Sequence, residues 1–168
     1  MSGRWRVEPR GSARGGRPWL VLRGGAHEAV LWNGPVLELV AHPPRLGPDV
    51  VIGDLSAVRL QGPIGEALLD QRQVAGIGNV WRCEALWHAR VSPWAAAEGV
   101  DQQAILGHAH RLMAASVEGE RPVREVYRRP GRPCRRCGSA IRSRGQGDDN
   151  RIAYWCPGCQ GGGAPPGE

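Results

Sequence analysis

The chain has 168 residues, 41% of them hydrophobic but with 25 Gly and 14 Pro, which suits one moderate domain or two small ones with much loop. No run is long and apolar enough for a helical membrane span, and the mean hydropathy is −0.38. The net charge is +6 and the isoelectric point near 9.7, which favours a polyanionic partner. All 22 basic residues are Arg, so phosphate contacts are well served while no Lys side chain is available for amine chemistry.

Residues 1–17 are basic and Gly-rich and contain no apolar signal-peptide core, so the expected location is the cytoplasm. Trp19–Arg23 and Glu28–Trp32 have strand character, and Gly24–Gly25 between them suits a hairpin. Pro35–Val40, after the turn signal Asn33–Gly34, is the third strand expected of this region. Residues 41–56 read as a linker, with Pro43–Pro44, Gly47–Pro48 and Gly53–Asp54.

From Ile64 the pattern turns helical, with Ile64, Ala67 and Leu68 on one face. Gly76-Ile77-Gly78 interrupts it, and a second helix is predicted from Asn79 to Ala89 with Asn79 as N-cap. Arg90 then sits at the negative end of the helix dipole. A third helix is predicted over Asp101–Glu118, and a short one over Pro122–Tyr127. The last clear strand is Arg151–Cys156, and the Gly- and Pro-rich residues 161–168 read as a disordered tail.

Five cysteines are present, and four form the pairs Cys134-x-x-Cys137 and Cys156-x-x-Cys159 around a hairpin-like segment. Two such knuckles supply the tetrahedral four-sulfur shell of one structural Zn2+, closed to water and therefore not catalytic. Gly138 and Gly158 are placed for the positive φ such turns often need. The ribbon is either a plain structural clip or a nucleic-acid contact; Arg128, Arg129, Arg132, Arg135, Arg136, Arg142, Arg144 and Arg151 around it favour the second. Cys83, inside the second helix, reads as a small buried side chain.

A Gly-x-Gly turn before a helix lets a partner approach the backbone and aims free amides at it, although it is also an ordinary helix start. Here it continues as Gly76-Ile77-Gly78-Asn79-Val80-Trp81-Arg82-Cys83-Glu84. Further on comes Val126-Tyr127 ahead of Cys134, and Arg151 five residues before Cys156. In this order and spacing, residues 62–160 resemble the formamidopyrimidine-DNA glycosylase/endonuclease VIII family, with its helix–two-turns–helix element and four-cysteine zinc finger. The opening Met1–Trp5 and the run at 34–39 also resemble that family's later β-sandwich strands.

The resemblance implies an α+β multidomain fold: a partial antiparallel β-sandwich with linker (1–56), a helical domain (57–124), a four-cysteine zinc ribbon (125–160) and the tail (161–168). It implies a monomeric, nucleoid-associated DNA glycosylase and AP lyase of base-excision repair, acting on double-stranded DNA that carries a damaged or abasic site. By the same route Asn79 and the Gly78 amide would bind a phosphate beside the lesion. Arg151 would clamp the damaged nucleotide's phosphates and assist elimination, unless it is simply an exposed surface Arg. Met1 falls where the family carries a methionine that fills the gap left by a flipped base.

The family's N-terminal Pro and Glu, and its assisting Lys, have no match here. An N-terminally truncated chain that binds DNA and cleaves it poorly is therefore the expectation, with residues 1–45 exposing apolar strand faces. The alternatives are a non-catalytic module for abasic or bent DNA, and an RNA- or ribosome-binding protein.

Overall fold

The computed structural model describes residues 4–12, 18–32, 45–147 and 151–161. It divides into two compact units, Met1–Pro43 and Pro44–Glu168.

The first unit holds a three-stranded antiparallel sheet, β1 (Arg4–Pro9), β2 (Leu20–Gly24) and β3 (His27–Trp32), in the order β1-β3-β2. The expected hairpin is present, closed by the two-residue loop Gly25–Ala26 between the paired Gly24 and His27. The strand added to it is β1, and Pro35–Val40 lies outside the described residues. β1 was hidden by its basic surroundings, yet Trp5 and Val7 alternate with Arg6 and Glu8 at the strand period. The register sets Trp5 beside Leu31 and Val7 and Leu22 beside Ala29, so these share one face. On this face Val7 is 74% and Leu22 55% exposed, while Leu31 on the central strand is buried. Glu28 is buried but paired: its carboxylate accepts from the Gly11 amide at 3.0 Å and from Arg23 Nε at 3.1 Å.

Among the described residues the second unit contains a short helical turn, α1 (Ile64–Ala67), two longer helices, α2 (Asn79–Ala89) and α3 (Gln102–Val117), and a single 3-10 turn at Ala97–Gly99. They are followed by the hairpin β4 (Arg142–Gln146) and β5 (Arg151–Trp155). α3 starts at an Asp101 cap whose carboxylate accepts from the Ala104 amide at 2.9 Å. Residues 45–56 form neither helix nor strand and are largely exposed, but they are anchored at Val50, which is buried and whose amide donates to Ala75 O.

α2 is the centre of this unit. Residues 82–87 are all buried, the pattern of a helix covered on every side. Ala85 and Leu86 enter a core with Ile64, Leu68, Ile105 and Leu106, while Cys83 and Trp87 enter a second one with Val126, Ile141, Cys134 and Cys156. One helix thus serves both the helical core and the cysteine-bearing segment.

Two expectations along this unit are corrected. Asn79 is the first residue of α2 rather than its cap; the cap position is Gly78, and no side chain bonds the first turn there. The short helix expected at Pro122–Tyr127 is absent, that stretch being irregular chain that bends and turns only at 125–127. The amides of Glu125, Val126 and Tyr127 donate instead to the buried Glu84 carboxylate at 2.8, 3.2 and 2.9 Å, which removes the need for a helical ladder.

Candidate metal centre and nucleic-acid surface

Cys134, Cys137, Cys156 and Cys159 come together with their sulfurs all within 4.8 Å of one another. The Cys134–Cys159 and Cys137–Cys156 sulfur separations are 3.8 and 3.4 Å. A tetrahedral shell with metal–sulfur bonds of about 2.3 Å has edges of about 3.8 Å, so the spacing fits a four-thiolate metal centre. The first knuckle turns at Gly138, φ +78°, as expected. Gly158 does not take a positive φ; its constraint is steric, since a Cβ there would lie 2.5 Å from Ser139 Oγ and 3.2 Å from Cys137 Sγ.

The sulfurs are not equivalent. The Ser139 hydroxyl and amide hold the Cys137 thiol down to about 6, while burial pushes Cys156 up to about 12. Four clustered thiols do not ionise together unaided; a dication is the chemistry that lets them. Trp87 of α2 donates its indole N–H to Cys134 Sγ at 3.4 Å, and the guanidinium of Arg136 lies 3.7 Å over that indole ring.

At the other end of α2, the first intrahelical bond runs from the Arg82 amide to Gly78 O. The amides of Asn79, Val80 and Trp81 therefore precede the helix's own ladder and, with the dipole, favour an anion. A Cβ placed on Gly78 would meet no atom within 4 Å, so its backbone is open to close approach. The Asn79 side chain donates to Ile152 O at 2.9 Å, a bond across 73 residues that pins the tip of β5 to the helix start. Gly78, Asn79 and exposed Arg151 are thereby gathered at one place, while Met1 lies outside the described residues.

Arg82, fully buried, supports that junction from beneath. Nη1 donates to Gly65 O and Gln146 Oε1, each at 3.3 Å, and Nη2 to Arg151 O at 3.4 Å. Gln146 in turn donates to Pro93 O at 2.9 Å, and Gln160 joins the Cys156 amide to Val91 O. Neither Arg82 nor the two glutamines stood out in the sequence, because a lone Arg or Gln carries no motif and their partners lie far away in the chain. A concavity of about 370 Å³ beside the junction is lined by Glu66, Arg72, Gln146, Gly147 and Arg151 among others.

Residues 51–125, spanning all three helices, match the family described as the formamidopyrimidine-DNA glycosylase H2TH domain. A probable endonuclease 8 2 of Streptomyces coelicolor is 38% identical over 198 residues, covering 98% of this chain and 71% of that protein. The chain belongs to the formamidopyrimidine-DNA glycosylase/endonuclease VIII family. A formamidopyrimidine-DNA glycosylase of Rhizorhabdus wittichii is 32% identical over 199 residues, with 95% of this chain and 72% of that protein covered. The fold agrees with that assignment. The Lactococcus lactis family member solved in complex with DNA containing an abasic site superimposes with a TM-score of 0.74 at 20% identity. That likeness covers 95% of this chain and 72% of the other. The family's helix–two-turns–helix element corresponds here to the segment through α2, with Gly76, Gly78 and Asn79 at its turn. Among the described residues no helix is long and apolar enough to cross a membrane.

Proposed function

We propose that this chain, a member of a DNA-glycosylase family of base-excision repair, binds the lesion in damaged double-stranded DNA through the surface where α2 meets the tip of β5. One observation carries the reading. The Asn79 side chain and the Arg82 guanidinium hold the backbone of Ile152 and Arg151, so two phosphate-seeking groups on different elements have one fixed separation. Asn79 and the Gly78 amide would take one backbone phosphate, and Arg151 the phosphates of the damaged nucleotide, with bidentate geometry that Lys could not offer. The net charge of +6 supplies the non-specific part of the affinity.

Zn2+ is the metal this reading places among Cys134, Cys137, Cys156 and Cys159. All four positions are protein thiolates, so the ion's contribution is to hold the hairpin that carries Arg151, with no open site for chemistry. Base removal coupled to strand cleavage runs through an imine at the sugar C1′, which needs a free amine. With no Lys in the sequence, these 168 residues hold no side-chain amine for that step, so DNA binding without efficient cleavage is expected of them.

Borohydride trapping on a duplex with one abasic site, run beside a gel shift with and without a zinc chelator, tests both halves. Chelator-sensitive retention of the abasic duplex without a covalent adduct is the expected result. A trapped adduct would show that a terminal amine reaches C1′ and that the chain is a lyase as it stands. Tighter binding to structured RNA than to the abasic duplex would overturn the DNA-repair reading.

A further inference from the structure

The cysteine cage is not suspended on its own hairpin. Trp87, on the last turn of α2, is 6% exposed and donates its indole N–H to Cys134 Sγ at 3.4 Å, with Cys134 itself 3% exposed. An indole is a donor only, and when buried it needs an acceptor; here that acceptor is a metal-ligand sulfur. Arg136, between the first two cysteines, completes the arrangement. Its guanidinium carbon stands 3.7 Å above the indole ring, its Nη1 donates to Trp87 O at 3.0 Å, and its own amide donates to Cys134 Sγ at 3.4 Å. Cys134 therefore accepts two N–H groups, one from its own knuckle and one from a helix 47 residues earlier in the chain. The first is ordinary knuckle geometry. The second has no counterpart in a free-standing zinc ribbon.

We propose that Trp87 is a positioning residue of the metal centre, its indole N–H orienting the Cys134 thiolate and fastening the cage to the end of α2. This rests on the reading of the four cysteines as a zinc site. A hydrogen bond to a ligating sulfur withdraws charge from it and restricts its direction, and partners of this kind govern metal affinity and release. The same bond ties metal occupancy to the helix. A Cys134 that leaves the cage abandons a buried N–H, so losing the metal loosens the packing of the knuckle on Trp87. The other end of α2 carries Asn79, which makes the helix a single rigid link between the metal centre and the phosphate-binding surface.

The test uses the full chain and reads the metal rather than activity. Trp87→Phe keeps an aromatic ring beneath Arg136 and removes the N–H donor together with part of the ring system. Zinc is expected to pass to a chromophoric chelator about ten-fold faster from this variant. In cobalt-loaded samples its thiolate-to-metal charge-transfer bands are expected to move to lower energy, because the sulfur has lost a donor. Trp19→Phe, which alters an exposed indole of the first unit, leaves both unchanged. Coincident cobalt bands in Trp87→Phe and the unaltered chain overturn the role of Trp87, whatever the release rate. An unaltered chain that binds neither metal overturns the zinc reading and this proposal with it. Should Trp87→Phe not fold, the unaltered chain loaded with cadmium-113 reads the same bond. One of its seven indole protons is expected to show scalar coupling to the metal through sulfur, and the absence of coupling at full loading contradicts the proposal.

Discussion

Glu84 shows how a single buried side chain organises residues far from it. Burial pushes its carboxyl above the usual carboxylate range, and the amides of Tyr127, Glu125 and Val126 pull in the opposite direction by donating to it. Three converging N–H donors require an acceptor on both oxygens. Glu84→Gln has almost the same shape but turns one of those oxygens into an NH2 facing an amide donor. A loss of about 1–3 kcal/mol follows from leaving buried donors unpaired. The urea midpoint should fall with the slope unchanged, and a variant as stable as the parent would remove Glu84 from this role. Glu84 was legible in the sequence as part of the motif beginning at Gly76, but its partners at 125–127 were not, and that is why a helix was expected there. Asn79 was misassigned as a cap for the same reason. Local spacing identifies a helix start, whereas a bond to Ile152 is decided by how distant segments pack.

Among the elements, α2 was read to its final bounds because a Gly-bounded start and a run of good helix formers are local signals. The strand β1 was not, since a Gly- and Arg-rich setting masked four alternating residues. The contact between α2 and α3 includes a feature no periodicity reveals. His88 and His108 stack with ring centroids 5.4 Å apart, and the Arg111 guanidinium lies 2.8 Å from His108 Nδ1. Since Arg only donates, that nitrogen accepts and His108 is held neutral. Burial, and after it Arg136 for His88 and Arg111 for His108, lowers the affinity of both rings for a proton; Glu125 acts against this at His88. A His whose folded-state pKa is depressed contributes stability above the unfolded value of about 6.5 and loses it as pH falls below. Thermal unfolding should therefore come at lower temperature at pH 5 than at pH 7.5, and His108→Gln should flatten that dependence. An unchanged pH profile in His108→Gln would show that the stack does not titrate on folding.

Across the molecule, the fold of the second unit and its chemistry depend on one arrangement: a helix buried on all sides, the cysteine cage at its end and Arg151 at its beginning. The four cysteines and the Gly-x-Gly-Asn turn were visible as motifs because their spacing alone constrains what they do. The bonds that join them, through Arg82, Gln146, Gln160 and Trp87, use residue types without any motif value and became evident only in three dimensions. That arrangement is what the proposed reading of the α2–β5 junction as the surface for damaged DNA rests on. The most direct test is the ratio of affinities for an abasic duplex and an intact one, at one salt concentration, for the unaltered chain, Asn79→Ala and Arg151→Ala. A preference for the abasic duplex that falls about ten-fold or more in each variant, with zinc content unchanged, is the predicted result. An unaltered chain that binds both duplexes equally, or a preference that survives both substitutions, would contradict it.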